Sequence, residues 1–426
     1  MKYRLKDICN ITKGATGIMK ADGGKYPLVA LSDERRSHSE FQFDAKAVIV
    51  PLISSTGHGH ASMKRVHYQE GKFALGNILC AVIPNDETQL NTKYLHLYLQ
   101  QFKETLLVPL MKGAANVSLP MNKLADVEIE VPSLERQTEI IALEEEAAEY
   151  KNELEERLIA QDSDVGKLRQ ELLREAMQGK LTNQNLKDGN AKDLLDVIKA
   201  EKEKLKKGKA IKAIKAVEIP CEIPSNWCWC RLEDLCLKIH YGFNASAKPE
   251  KKDVRLLRIT DIQNNKVDWE SVPGCDYSKS DLENYLLNEN DIVIARTGGT
   301  IGKTFLVKNI TVKSLFASYL IRAIPSQNIS PDFLKSFLES PIYWKQLYDA
   351  AWGAGQPNVN GTSLSNLVVP LPPLPEQHRI VKKIEQLMQL CAELQYSIQQ
   401  SKIENEKLLQ GALRDALKKE DSVEIN

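Results

Sequence analysis

The stretch whose spacing most invites a chemical reading is Thr297-Gly298-Gly299-Thr300-Ile301-Gly302-Lys303-Thr304, which suggests a nucleotide-phosphate loop. Such a loop needs glycine five residues ahead of the glycine of its Gly-Lys-Thr, and that position holds Thr297. It should also open a helix whose first N–H groups bind the phosphates, whereas Phe305-Leu306-Val307 reads as a strand. A polar loop between two strands is the better reading, with Arg296 and Lys303 projecting from it. The matching region near the other end of the chain, Ser54-Ser55-Thr56-Gly57-His58-Gly59-His60, brings two histidines together with His67 nearby. Their spacing fits no tetrahedral metal site and no cysteine pair accompanies them, so hydrogen-bonding loop residues are expected, not a metal centre. Cys221, Cys228, Cys230 and Cys236 surround Trp227 and Trp229 without zinc-ribbon spacing and read as small buried hydrophobes. Dinucleotide, nucleophile-elbow, paired-histidine and amino-methylation motifs are not found. Nothing points to catalysis, and no cofactor is expected in this chain.

The elements that carry these loops occur twice. Arg4-Leu5-Lys6-Asp7-Ile8-Cys9 is answered by Arg231-Leu232-Glu233-Asp234-Leu235-Cys236, and Leu28-Val29-Ala30-Leu31-Ser32-Asp33 by Leu256-Leu257-Arg258-Ile259-Thr260-Asp261. Ala81-Val82-Ile83-Pro84 pairs with Arg322-Ala323-Ile324-Pro325, and Gly113-Ala114-Ala115-Asn116-Val117 with Gly355-Gln356-Pro357-Asn358-Val359. Leu124 to Leu134 pairs with Leu364 to Leu374, and Leu172-Leu173-Arg174 with Leu408-Leu409-Gln410. Solenoid units recur at about 20–50 residues, so a repeat this long means two duplicated domains. A duplicated chain acts as a pseudo-dimer and suits a target with two halves.

The chain has 426 residues and no net charge, with 57 basic and 57 acidic side chains. That length allows two or three domains with real cores. No apolar run approaches a membrane span, no secretory signal opens the chain, and the eight cysteines form no small disulfide framework, so a reducing cytoplasm is expected. Charge alone does not predict nucleic-acid binding, because neither globular half is strongly basic.

Ala47-Val48-Ile49-Val50 and Ile292-Val293-Ile294-Ala295 read as buried strands. Thr92 to Leu106 and Pro331 to Tyr348 read as helices. Strands and helices do not alternate as in a doubly wound sheet, so the fold class is α+β. Two long helices follow proline-rich segments. In one, Ile380, Ile384, Leu387, Cys391, Leu394, Ile398, Ser401, Asn405, Leu408 and Ala412 keep four-three spacing; in the other, Leu154, Leu158, Gln161, Val165, Leu168 and Leu172 do. Sustained heptads predict one apolar seam on each helix, and pairing the two as an antiparallel coiled coil covers both seams. A helix of about 45 residues is roughly 65–70 Å long. The expected division is 1–133 and 223–373 as globular domains, 134–181 and 374–420 as helices, 182–222 as a basic helical linker and 421–426 as a tail. Within the linker, Glu201-Lys202-Glu203-Lys204-Leu205-Lys206-Lys207 reads as a solvated helix face in preference to a phosphate contact.

The layout resembles the specificity subunit of a type I restriction-modification system over essentially the whole length. The residues that carry the resemblance are Pro372-Pro373-Leu374-Pro375-Glu376-Gln377-His378-Arg379-Ile380-Val381, its counterpart Pro132-Ser133-Leu134-Glu135-Arg136-Gln137, and Gln178-Gly179-Lys180-Leu181-Thr182. Leu195 to Leu205, Ile223-Pro224-Ser225-Asn226-Trp227 and Asn290-Asp291-Ile292-Val293-Ile294-Ala295-Arg296-Thr297-Gly298 are also family-like. The resemblance implies two target-recognition domains, each reading half of a split site on double-stranded DNA, with a pseudo-twofold layout. It implies an antiparallel spacer that sets the gap and docks two methyltransferase subunits, with restriction-translocase subunits joining for cleavage. S-adenosylmethionine, ATP and magnesium would belong to those partners, and no membrane is involved. The neutral charge departs from expectation and suggests that partner subunits supply part of the phosphate contact. The first half also lacks the Pro-x-x-Trp opening of the second.

Arginine reads guanine, asparagine and glutamine read adenine, and lysine positions on phosphate. By type and placement the candidate DNA contacts are Lys13, Lys20, Arg35, Arg36, Ser55, Thr56, His58, Lys64, Arg65 and Asn116 in the first half. In the second they are Tyr241, Asn244, Lys248, Arg258, Arg296, Thr297, Lys303, Gln356 and Asn358. For each of them a solvated loop residue remains the alternative. A coiled-coil scaffold without DNA recognition, or a nucleotide hydrolase at Thr297 to Thr304, are the competing readings. Sequence-selective, salt-dependent DNA binding by the assembled complex separates the first from the leading reading, and nucleotide binding by the chain alone separates the second.

Overall fold

The computed structural model describes residues 1–17, 23–56, 59–114, 116–205, 213–351 and 359–418. It divides into two compact units, Met1–Ile159 with Gln399–Asn426, and Ala160–Ile398. In the first unit β1 (Lys2–Arg4) leads through the single turn α1 (Leu5–Ile8) into β2 (Cys9–Lys13). Then come β3 (Tyr26–Val29), β4 (Arg36–His38), β5 (Phe43–Asp44), β6 (Ala47–Pro51), β7 (His67–Gln69), β8 (Lys72–Leu75) and β9 (Leu79–Pro84). The helices α2 (Thr92–Leu106) and α3 (Met121–Ala125), the strand β10 (Glu128–Glu130) and the start of the long helix α4 (Leu134–Met177) complete it.

The second unit repeats the plan. After α5 (Ala191–Lys204) come β11 (Cys228–Arg231), α6 (Leu232–Leu235), β12 (Cys236–Tyr241) and β13 (Arg255–Leu257). A small hairpin, β14 (Ile262–Gln263) and β15 (Lys266–Val267), precedes α7 (Lys279–Tyr285), β16 (Ile292–Ala295), β17 (Thr304–Leu306), β18 (Ser314–Phe316) and β19 (Leu320–Pro325). Next are α8 (Pro331–Phe337), α9 (Pro341–Ala351), α10 (Gly361–Ser365), β20 (Val368–Leu371) and the long helix α11 (Leu374–Lys418).

Each unit holds a four-stranded antiparallel sheet of the same order, β2-β9-β6-β7 and β12-β19-β16-β17. Registers begin alike, with Cys9 facing Pro84 as Cys236 faces Pro325, but β12 then slips by one residue between Cys236 and Lys238, where β2 runs on unbroken. A parallel pair, β3 with β8 and β13 with β18, lies beside each sheet. Strand residues alternate between faces, and both faces are buried. Val48, Val50 and Val82 pack on Tyr94 and Leu95 of α2, while Ile49, Leu79 and Ala81 pack on Val29, Phe73 and Leu75. In the second unit Ile292, Ile294 and Ile321 meet Phe333 and Leu334, while Val293 and Leu320 meet Leu257, Phe305 and Phe316. Burial on both faces is why these strands read as unbroken apolar runs.

The helix expected from Pro331 to Tyr348 is in fact two, α8 and α9, broken at Ser340-Pro341. Proline lacks the N–H that would continue the first helix and is well accommodated at the start of the second. The linker face expected to be solvated is also corrected in part. Lys202 is buried and its ammonium caps α6 at the Glu233 carbonyl, while Glu201 accepts from Ser326 and Asn328. Lys206 and Lys207 lie outside the described residues, as does the tail 421–426.

Within the first unit the beginning of α4 runs antiparallel to the end of α11. Arg136 donates to the Ala416 carbonyl at 3.4 Å, while Leu154 and Leu158 share a small cleft with Asn405 and Leu409. Within the second, Gln395 donates to Asp162 at 2.8 Å, and Leu173, Ala176 and Met177 share a core with Ile380 and Ile384. Leu158, Val165, Ile384 and Cys391 are buried, and Leu154, Leu172, Leu387, Ile398, Ser401 and Asn405 are half-buried. Leu168, Leu394 and Leu408 are not seam residues, at 43%, 50% and 68% exposed, and Gln161 and Ala412 are exposed as well. Columns three and four residues away flank the same stripe. On α11 Met388, Gln395 and Leu409 are half-buried too, so at Leu394 and Leu408 the inward side lies one residue further along the helix.

Two histidines sit inside the sheets. Burial pushes His67 down to about 4, aided by Arg35, Arg65 and His96, and pushes His240 down to about 4, aided by Lys238 and Arg322. Their unfolded value is about 6.5, so between about 6.5 and about 4 the unfolded chain binds more protons and stability falls as pH falls. In urea melts of the full chain, His240→Phe, set beside Tyr285 and Phe316, is expected to flatten that dependence; an unchanged slope would contradict it. In the same assay Leu158→Ala should destabilise by about 2–4 kcal/mol. Leu408→Ala should stay within about 0.5 kcal/mol of the parent chain. Equal losses for the two would refute the corrected seam.

Candidate nucleic-acid interface

In an antiparallel sheet, alternate strands bring chain ends to a common edge. At one edge of the first unit lie the end of β2, the turn into β9 and the end of β6. Gly14 follows β2 where a Cβ would stand 2.2 Å from the Gly76 oxygen, and Gly242 follows β12 where it would stand 2.2 Å from the Ala317 oxygen. Only glycine permits this close crossing beside the parallel strand pair. The crossing aims the next residues of both copies at the same edge.

The first unit gathers Lys13, Ser55, Thr56, Lys64 and Asn116 there. The Ser54 N–H donates to the Val117 carbonyl at 2.9 Å, which joins the loop after β6 to the segment before α3. Within that loop the Lys64 N–H donates to Ser55 Oγ at 2.9 Å, and Thr56 and Ser62 hydroxyls lie 3.0 Å apart. The second unit gathers Tyr241, Asn244, Arg296, Thr297 and Lys303. The Arg296 guanidinium lies 4.7 Å from the centre of the Tyr241 ring, a cation–π contact. The Tyr241 hydroxyl accepts from the Gly361 N–H at 2.9 Å. Lys13, Lys64, Arg296 and Lys303 form no ion pair among the described residues, and the Arg296 Nε is buried without a hydrogen-bond partner.

Other basic candidates are engaged by their own fold. Arg35 donates to Gln69 Oε1 at 3.0 Å and to the Tyr68 carbonyl, and Arg65 pairs with Asp33. Lys248 pairs with Asp276, whose carboxyl the Lys248 and Lys251 ammonium groups hold down to about 2. Arg258 chelates Asp261 through Nε at 3.0 Å and a terminal nitrogen at 2.6 Å. These four side chains therefore carry polar partners within the fold, unlike those of Lys13, Lys64, Arg296 and Lys303 among the described residues. Arg36 opens the edge strand β4. Lys20, His58, Gln356 and Asn358 lie outside the described residues.

Sequence reasoning missed Asn77 and Tyr319, which occupy the turns into β9 and β19 at this edge. Both are exposed, Tyr319 to 65%. The repeat itself held the signal, since an exposed aromatic in a two-residue turn between buried strands has no packing role. The same frame also shows what differs between copies. Leu52 donates to the Ile78 carbonyl and accepts from the Leu119 N–H, and Arg296 does the same with Tyr319 and Val359. Thus Leu52 and Arg296 are equivalent, as are Lys13 and Tyr241. Val359 corresponds to Leu119, not to Val117 as the sequence pairing had it, because the loops differ in length. Among the described residues no three His, Cys, Asp or Glu side chains gather as they would around a metal ion. The Cys9 and Cys236 thiols are buried and pushed up to about 12.

Residues 1–161 and 224–405 match the family model described as the type I restriction modification DNA specificity domain. The chain is 32% identical over 271 residues to the type I restriction enzyme EcoAI specificity subunit of Escherichia coli, a match that covers 61% of this chain and 46% of that subunit. The EcoDI specificity subunit of Escherichia coli is 21% identical, covering 98% of this chain and 88% of its own. The alignment with the first of these therefore spans about half of the relative's length. In fold, the chain is similar to the HsdS subunit from Thermoanaerobacter tengcongensis, with a TM-score of 0.54 at 17% identity over 98% of this chain and 96% of that one. A second solved structure, reported for complex assembly and conformational transition of the type I R-M system, gives 0.52 at 16% identity over 98% and 97%. With matched segments in both halves, this chain belongs to the type I restriction modification DNA specificity domain family.

Proposed function

We propose that this chain is the DNA sequence-specificity subunit of a type I restriction-modification complex. Each recognition domain reads one half of a bipartite, asymmetric site on double-stranded DNA. The paired helices set the gap and dock two methyltransferase subunits, and restriction-translocase subunits join for cleavage. The chain is the non-catalytic, reading part of that machine. S-adenosylmethionine, ATP and magnesium belong to the partners, and the complex works on chromosomal DNA in the cytoplasm. No helix among the described residues is long and apolar enough to cross a membrane.

One observation carries this reading: the same frame appears twice with different side chains at its matching edge positions. Lys13 and Leu52 in one copy stand where Tyr241 and Arg296 stand in the other. A scaffold has no use for such divergence on a conserved frame, whereas a reader of two unlike half-sites requires it. The Arg296 guanidinium rests 4.7 Å from the centre of the Tyr241 ring, and that contact restrains a fork able to make two parallel bonds to guanine O6 and N7. With a net charge of zero, phosphate attraction by this chain alone is weak, and affinity depends on the assembled complex.

In the complex assembled with its methyltransferase subunits, Arg296→Ala should weaken binding to the cognate site by about 1–3 kcal/mol. It should also relax preference at one position of one half-site. Arg296→Lys should not restore it, because lysine cannot bond bidentately. Competition binding against single-base variants of the site reads both effects. Full affinity with full sequence preference in Arg296→Ala would remove Arg296 from the reading surface.

A further inference from the structure

Two wholly buried glutamines occupy the same place in both units. Gln137 and Gln377 each lie in the first turn of a long helix, five residues beyond Pro132 and Pro372. The Gln137 Oε1 accepts from the Asn91 N–H at 2.8 Å, and its Nε2 donates to the Gln89 and Pro132 carbonyls at 2.9 and 3.0 Å. The Gln377 Oε1 accepts from the Ser330 N–H at 2.9 Å, and its Nε2 donates to the Pro372 carbonyl at 2.9 Å. Asn91 and Ser330 are themselves the N-caps of α2 and α8, bonding to the Lys93 and Phe333 N–H groups. Those helices carry the residues on which the reading sheets pack, Tyr94 and Leu95 in one unit and Phe333 and Leu334 in the other. Each amide therefore links the long helix to the helix beneath the sheet.

Apolar burial holds such a junction together without fixing its direction. A planar amide with a donor and an acceptor in fixed directions, in a low-dielectric interior, resists rotation of one helix against the other. We propose that Gln137 and Gln377 are positioning residues for spacer selectivity. Each locks the direction in which its recognition domain leaves the long helix, so the complex rejects sites whose halves are one base pair too close or too far. This rests on the DNA-specificity reading above.

The two junctions differ in reinforcement. Beside Gln377, the buried Glu376 accepts from Trp227 Nε1 at 2.8 Å, from Gln184 at 2.6 Å and from Thr182 at 3.3 Å. Beside Gln137, the half-exposed Arg136 holds Glu139 at 2.8 Å and the Ala416 carbonyl. The first junction depends more on its glutamine alone.

The test uses the full chain assembled with its methyltransferase subunits, assayed for methylation of the mapped site and of sites with the gap one base pair shorter or longer. Gln137→Met keeps length and removes the polar group. Its discrimination against wrong spacing should fall about tenfold, the effect of about one buried hydrogen bond. Methylation at the native spacing should be largely kept. Gln377→Met should lose less. Val29→Ala, a cavity in the core on the opposite face of the same sheet, serves as the control and should leave discrimination unchanged. Should Gln137→Met fail to assemble, Gln137→Glu keeps the acceptor for Asn91 and carries the same readout. Unchanged discrimination, an equal loss in the control, or failure of both glutamine variants to assemble would overturn the proposal and leave the glutamines as stabilisers only. Absence of site-specific methylation by the unaltered complex would instead strike the functional reading.

Discussion

The fold depends on the apolar closure of each core by a long helix. The first unit is not continuous in sequence, because its core is completed by Leu413 and Leu417 from the end of α11. Those residues pack among Leu5, Ile140 and Ile141, so the last helix must return to the first domain before that core is dry. The second unit has the converse arrangement, with the end of α4 and the start of α11 in one core. Apolar burial drives both closures, and the antiparallel course of the two helices follows from them within each unit.

The duplication explains why the domain frames were legible in the sequence. The paired segments around Arg4, Leu28, Ala81 and Leu124 map onto matching strands and hydrogen bonds in the two units, down to the Leu5 and Leu232 N–H groups that donate to Val127 and Leu367. Short apolar runs gave the central strands because both faces are buried. What failed did so for local reasons. Helical spacing alone does not choose between the Leu394 and Gln395 flanks of α11. The Pro341 break fell inside an otherwise helical pattern. Lys202 looked like one more solvated lysine, yet it closes the end of a short helix.

The candidate edge was partly legible. Lys13, Ser55, Lys64, Tyr241 and Arg296 came from residue type and position in the repeat, and the fold gathers them by the antiparallel order of its strands and the crossings at Gly14 and Gly242. Arg35, Arg65, Lys248 and Arg258 have the same chemistry but are paired internally, and pairing is invisible in sequence because Asp33, Gln69 and Asp276 gain their meaning only in three dimensions. Tyr319 and Asn77 were overlooked because turns carry no periodic signal, and only their place in the repeat pointed to them. Internal pairing also accounts for a balanced composition that still leaves free cations at the edge.

One frame used twice, with unlike side chains at its matching edge positions, calls for an asymmetric, two-part site. The most direct measurement is a methylome map of cells that express the partner subunits with and without this chain. Adenine methylation is expected only with the chain present, at a split motif whose halves differ. A methylome unchanged by the chain, or a palindromic motif, would contradict it.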